Sequence, residues 1–494
     1  MSYCVDMLEK LARQTALYGI STIVGRFLSY LLTPYYTRIF GQETYGIVTD
    51  VYALIPLALV VLTMGMESSY FRFAARADEA GGDVARAKRR LFATTWGITS
   101  LAAVTFGLAV MFNAGRVASL MGEAYVAHPQ YVVLVAMIVM FDVMGCVPFS
   151  RLREQGRAMA FVSLKLMNIV LNVVLAFGFG AAGLYATEFG VGWVLIANLA
   201  TSVATWIALL FTAAGVIPRI DWRLLSAILV YSLPLLLSGV AATASEFVDR
   251  QLIKYLVPEN AMSQLGVYGA VAKIAIVMGL FTQMYRLAAE PFFLANYKKE
   301  QFVEMNAAAM KYFMLVSVTI FLGIAMFRDL FALIVGRAFR VGIDILPVVL
   351  AANVLAGVWL NMSFWYKREE KTKYALYVTL AGLAVTICLG VCVIPVWGYY
   401  GAAWVRLASE AVMVVVSYWL MRRCYPIPYD MRRIAEYVVV GGVLFAGGEA
   451  FGRMIDDRLA QYGVNAVLFA AFLYYAVRRE KIDVAGLVRA VLKR

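Results

Sequence analysis

The chain has 494 residues, 63% of them hydrophobic and 15% charged, with a mean hydropathy of +0.77 and a formal net charge of +13. That composition excludes a soluble globular domain and describes an all-α polytopic membrane protein built from long apolar runs. In a soluble chain the positive charge would suggest nucleic acid. Here the basic residues stand mostly in short loops between apolar runs, so membrane topology accounts for them and no nucleic-acid partner is expected.

The apolar runs predict about fourteen transmembrane helices, at 13–37, 45–68, 90–112, 130–149, 158–180, 189–212, 224–247, 264–290, 309–335, 343–366, 374–396, 399–421, 433–452 and 460–477. The first apolar run is too long for a cleavable signal and lacks its small-residue cleavage site. Arg26 lies near the middle of this first helix. A guanidinium at mid-bilayer costs at least ~2.5–3.5 kcal/mol, so Arg26 is expected to face protein or a wet cavity. Thr22, Arg26, Tyr30 and Thr33 recur at three- to four-residue steps and share one face. No acid stands three or four residues from Arg26. The helix therefore does not neutralise its own charge, and the expectation is a cationic spot in a membrane cavity that accepts an anion.

The remaining intramembrane charges sort by local pairing. Arg286 and Glu290, and Arg406 and Glu410, are four residues apart and can each close on one helix face. Asp50, Asp142, Lys165 and Lys273, like Arg26, have no opposite charge at that spacing. Asp50 starts ~9 Å inside the second span and Arg26 lies ~18 Å from the same side, so Arg38 is the nearer partner for Asp50. Asp142 and Lys165 lie near the cytoplasmic ends of the fourth and fifth spans, where Lys165 can snorkel to the surface. Both are open to a structural or a functional reading, and with Asp50 and Asp249 they are the candidates for gating or ion coupling. Lys273, in the eighth span, is paired with Arg26 as a candidate cavity cation, against a purely structural role for each. Pro34, Pro56 and Pro234 interrupt backbone bonding in spans one, two and seven, as suits moving gates and also static membrane helices.

The loops alternate in charge. Arg72 to Arg90, Arg151 to Arg157, Lys367 to Lys373, Arg422 to Arg433 and the C-terminal basic run fall on one side, and the other side has few cations beyond Arg328, Arg337 and Arg340. This places both termini in the cytoplasm. The five cysteines are scattered, with Cys388 and Cys392 on one helix face, and read as packing; His128 has no assigned role. No cofactor or metal is expected.

The chain also repeats itself. Thr37-Arg38 falls on Asp249-Arg250, Tyr45-Gly46 on Gly266-Val267-Tyr268, Arg153-Glu154 on Arg368-Glu369, and Gly190 to Trp193 on Gly401 to Trp404, at offsets of about 211–220 residues. Six spans per copy keep both copies in one orientation, a parallel repeat about an axis along the membrane normal. The expected organisation is an N-lobe at 1–215, a C-lobe at 216–425, and a two-span extension at 426–494. Two six-helix lobes make a V with a central cavity, and should insert without the extension.

These residues carry a resemblance. The block from Ala12 to Arg76, the Asp249-Arg250 to Lys273 segment, and Ile394-Pro395 with Gly398 and Gly401-Ala402-Ala403 resemble bacterial polysaccharide-biosynthesis flippases of the O-antigen and capsule type. That family belongs to the multidrug/oligosaccharidyl-lipid/polysaccharide exporter superfamily. The resemblance implies transport of an undecaprenyl-diphosphate-linked oligosaccharide to the outer leaflet of the cytoplasmic membrane. It carries cationic cavity roles to Arg26 and Lys273, and to Arg250 and Arg286. The family's asparagines before the Ile-Pro of the eleventh span are replaced here by Thr386 and Gly390, whereas the fifth span keeps Asn168 and Asn172.

Three functions compete. A flippase needs cations for the diphosphate, keeps the polyprenyl chain in lipid, and can contact other glycan-assembly proteins. The chain lacks G-x-x-x-x-G-K-[ST], so the drive would be an ion gradient (H⁺ or Na⁺), the membrane potential or downstream consumption. A cation-coupled multidrug antiporter of the same superfamily needs acids in the cleft, and the first helix offers none. A membrane-bound polysaccharide polymerase or transferase would call for catalytic histidine or a large outer loop, so an enzyme is not expected.

Overall fold

The computed structural model describes residues 30–213, 215–295, 302–368, 371, 373–454 and 457–481. Thr22, Arg26 and most of the first expected span lie outside them. Among the described residues the chain is helical and has no strand. Eleven helices are long and apolar enough to cross a membrane, or twelve when a bent pair counts as one span. The described residues thus do not by themselves reach the expected fourteen.

Residues 30–39 form the described part of α1, followed by α2 (Gln42–Thr63), α3 (Met66–Ala80), α4 (Val84–Phe112), α5 (Ala114–Met121), α6 (Glu123–Val126), α7 (Pro129–Glu154), α8 (Ala158–Ala181), α9 (Val191–Thr212) and α10 (Trp222–Leu256). Next come α11 (Ala261–Ile274), α12 (Ile276–Ala295), α13 (Phe302–Ala325), α14 (Arg328–Phe331), α15 (Leu346–Met362), α16 (Phe364–Arg368), α17 (Lys373–Cys424), α18 (Met431–Met454) and α19 (Arg458–Glu480). Several starts are set locally: Asp83, Asp221 and Asp457 cap α4, α10 and α19 by accepting backbone N–H bonds.

The breaks do not fall at the prolines. α2 runs through Pro56 and α10 through Pro234, which neighbouring groups in a membrane protein allow. α2 ends instead at Met64 and Gly65, both left-handed, and α3 continues as an amphipathic helix with Met66 and Tyr70 inside. α17 has 52 residues, ~78 Å if straight and more than twice a bilayer core, and is broken at Gly398 (φ 55°, ψ −134°). That conformation suits glycine, and it stands at the expected junction of spans eleven and twelve.

By packing, the described residues form two compact units that divide between Gly269 and Ala270, within α11. In the first, α7 packs on α4 and α9, α8 on α9, and α2 on α10 and α7. Tyr70, Phe92, Trp96, Val147 and Ile228 share one core cluster, and the Arg151 guanidinium lies 4.4 Å over the Phe92 ring. In the second, α13 packs on α15 and α18, α15 on α17, and α18 on α19. Large apolar side chains such as Val230, Phe211 and Val467 remain exposed, as a lipid-facing surface requires.

Candidate functional site

Asp50 lies two turns inside α2 with 1% of its side chain exposed. A carboxylate so buried needs charge and hydrogen bonds, and α10 brings both. This helix continues to Leu256, past the expected end near residue 247, and sets Gln251 and Lys254 one turn apart on the same face. Lys254 Nζ is 2.5 Å from Asp50 Oδ2, and Gln251 Nε2 donates to Oδ1 at 2.6 Å. Tyr125, on the short α6, donates its hydroxyl to Oδ2 at 2.6 Å. Burial, and then the Asp50 charge, push the Tyr125 phenol well above its ordinary range, so it remains a donor. The Lys254 ammonium also lies 4.7 Å over the Tyr125 ring. Arg38, the expected partner of Asp50, is therefore not its partner; the Arg38 guanidinium donates to the Pro34 carbonyl. Sequence distance hid the true one, since Lys254 is 204 residues from Asp50.

Beside this cluster α2 and α11 approach backbone to backbone. A Cβ on Gly46 would collide with the Met262 carbonyl, one on Gly266 with the Gln42 carbonyl, and one on Gly269 with the Thr49 side chain. Small residues permit this approach. Gly46 from α2 and Gly266 and Gly269 from α11 all take part in the junction. Asp249 is also buried, and the Tyr268 hydroxyl donates to its Oδ2 at 3.0 Å. Arg250 is half-buried on α10, and Tyr30 is half-buried on α1.

Deeper in the first unit, Asn198 donates to the Tyr52 hydroxyl at 3.2 Å, and Asn168 to the Thr205 hydroxyl at 2.9 Å. Asp142 has Ser202 as a hydrogen-bond neighbour and feels the charge of Lys165. The Lys165 ammonium sits 4.2 Å over the Phe149 ring.

In the second unit Lys273 is exposed two residues before a break at Ala275, where α11 and α12 meet at 48°. Asn353 on α15 donates to the Ala275 carbonyl at 3.1 Å, and Arg406 on α17 lies 3.5 Å from the Asn353 side-chain oxygen. Arg286 is exposed farther along α12; the Glu290 side chain lies outside the described residues. Thr386 donates to the Ser409 hydroxyl at 3.0 Å, and Ser409 donates to the Gly382 carbonyl at 2.8 Å, where the resembling family has asparagines nearby. Lys254, Gln251, Tyr125 and Asn353 escaped the sequence reading. The signal was there for Lys254: it follows the Asp249-Arg250 segment, about two turns past the expected helix end.

The fold is similar to that of the lipid II flippase MurJ in an inward closed conformation, with a TM-score of 0.75 and 11% identity over 94% of this chain and 100% of that one. It is also similar to a multidrug resistance MATE family transporter of the MOP superfamily in an inward-facing conformation, with a TM-score of 0.68 and 16% identity over 84% and 95%. A MOP superfamily transporter from Pyrococcus furiosus gives a TM-score of 0.55 at 16% identity over 86% and 96%. At these identities the likeness is one of fold. No curated protein matches the sequence. The sequence profile of the polysaccharide biosynthesis protein family matches residues 11–296, more than half of the chain, and the chain belongs to that family.

Proposed function

We propose that the protein is a flippase that moves undecaprenyl-diphosphate-linked oligosaccharide from the inner to the outer leaflet of the bacterial cytoplasmic membrane for surface-polysaccharide synthesis. Its family and its flippase- and exporter-like fold support the class of activity. The observation that carries the substrate is the contrast in charge. Lys273 and Arg286 are exposed on either side of a broken span, whereas Asp50, the acid best placed to exchange a cation, already has Lys254, Gln251 and Tyr125. Exposed cations suit a diphosphate and oppose a cationic drug.

In this reading residues 1–215 and 216–425 are the two lobes of an alternating-access carrier, and both termini are cytoplasmic. Arg26, with Thr22 and Tyr30, and Lys273, with Arg250 and Arg286, form the cationic lining. The junction of α2, α10 and α11 closes the outer end, and a coupling ion or the membrane potential supplies the drive. The protein performs no bond chemistry; sugar assembly and polymerisation belong to other proteins.

The test measures membrane abundance and outer-leaflet glycan together in Arg26→Ala, Arg26→Lys and Lys273→Ala. The alanine variants should keep the protein and lose export. Arg26→Lys should be partial, because lysine keeps the charge without the two-pronged fork that fits phosphate oxygens. Normal abundance with normal export in both alanine variants would end the reading. Loss of organic-cation efflux instead of glycan export would point to the multidrug antiporter.

A further inference from the structure

A cavity of 680 Å³ opens in the second unit, and neither Lys273 nor Arg286 lines it. Its walls come from α14, α15, α17, α18 and α19 and the stretch before α15. The lining divides by character. Arg328, Asp344, Glu449, Arg453 and Gln461 make a charged end, and Val348, Trp404 and Phe445 belong to an apolar wall. Trp404 is half exposed, as an aromatic residue at a membrane–water boundary is.

The charges do not all satisfy one another. Arg328 and Glu449 form a close pair at 2.7 Å. Arg328 reaches Asp344 only at 3.6 Å, and the Asp344 side chain is 59% exposed. Arg453 is exposed and has no hydrogen bond or ion pair among the described residues. Gly452 has no Cβ where the Gln461 amide packs, which brings Gln461 into the floor. One free cation and one loosely held anion therefore face the same cavity, and its two arginines and two acids sum to zero.

We propose that this cavity binds a zwitterionic phospholipid with a primary ammonium, phosphatidylethanolamine, its phosphate on Arg453 and its ammonium on Asp344. The acyl chains leave along Trp404 and Phe445. Charge complementarity selects this occupant. An anionic headgroup brings a phosphate but no cation for Asp344, and a polyprenyl diphosphate brings several negative charges to a lining with none to spare. A choline headgroup has no N–H to donate to the carboxylate. This end of the chain is also the side with few loop cations, so topology does not explain Arg328 and Arg453. The proposal stands apart from what the protein transports.

The test is native mass spectrometry of the purified full chain with phosphatidylethanolamine, phosphatidylcholine and phosphatidylglycerol of matched acyl chains at equal concentration. The native protein should retain phosphatidylethanolamine several-fold over the other two. Arg453→Ala and Asp344→Asn should each lower that retention by about tenfold, the size of a lost hydrogen bond to a charged group. Arg453 contacts nothing that its removal would strand, so its variant should fold. Equal retention of phosphatidylglycerol or phosphatidylcholine by the native protein, or unchanged phosphatidylethanolamine retention in both variants, would overturn the proposal.

Discussion

Asp50 and Lys254 have 1% and 6% of their side chains exposed, so each depends on the other for its charged state. Such a pair contributes modestly when intact and costs a great deal when halved. Lys254→Ala should destabilise the protein by roughly 3–5 kcal/mol, seen as a sharp fall in membrane abundance. Adding Asp50→Asn should restore much of it, and a double variant no more abundant than the single would refute the pairing. Tyr125→Phe removes one hydrogen bond to the carboxylate and should cost about 1.5–3 kcal/mol, measured as a lower melting temperature in detergent. At this scale the sequence shows that Asp50 needs a partner, because no cation lies one turn away. It does not show which one, since hydrogen bonds between distant segments depend on helix ends that apolar runs define only to within a turn or two.

Among the helices, the α2–α11 junction is set by absent side chains. Gly266→Leu should force the two apart, because the new side chain meets the Gln42 carbonyl rather than a side chain that can turn aside. Cysteines at positions 42 and 262 should cross-link in the native background and fail to do so with Gly266→Leu; equal cross-linking in both would show that the junction is loose. The last two helices are tied to α13 at both ends. Lys311 pairs with Glu480 at 2.5 Å, Tyr437 donates to the same carboxylate, and Asn465 donates to the Met326 carbonyl at 2.7 Å. A chain ending at Tyr429 should therefore insert, as the repeat implies, yet melt well below the full chain. Adding Lys311→Met to the short chain should recover part of the loss. Apolar length makes the spans legible in sequence, and the turn at Gly398 shows as the gap between two runs. The break at Ala275 does not show, because no proline or glycine marks it and Asn353 holds it from another helix.

For the whole chain, loop charge makes a direct forecast. A reporter active only outside the cytoplasm should stay silent when fused after Arg494 and become active when inserted at Gly115, clear of Tyr125. An active C-terminal fusion would reverse the orientation. The family was legible because glycines, aromatic residues and charges stand in its pattern over the first part of the chain. The packing division at Gly269 was not, because it follows contacts across the repeat rather than likeness within it. The Asp50–Lys254 pair also bears on electrical behaviour. A membrane potential of 100 mV acts with about 2.3 kcal/mol on each elementary charge that crosses it. The pair sums to zero, so a rearrangement that carries both members together moves no net charge through the field. Such an opening should be nearly indifferent to voltage, whereas one that parts Lys254 from Asp50 along the membrane normal should depend on it.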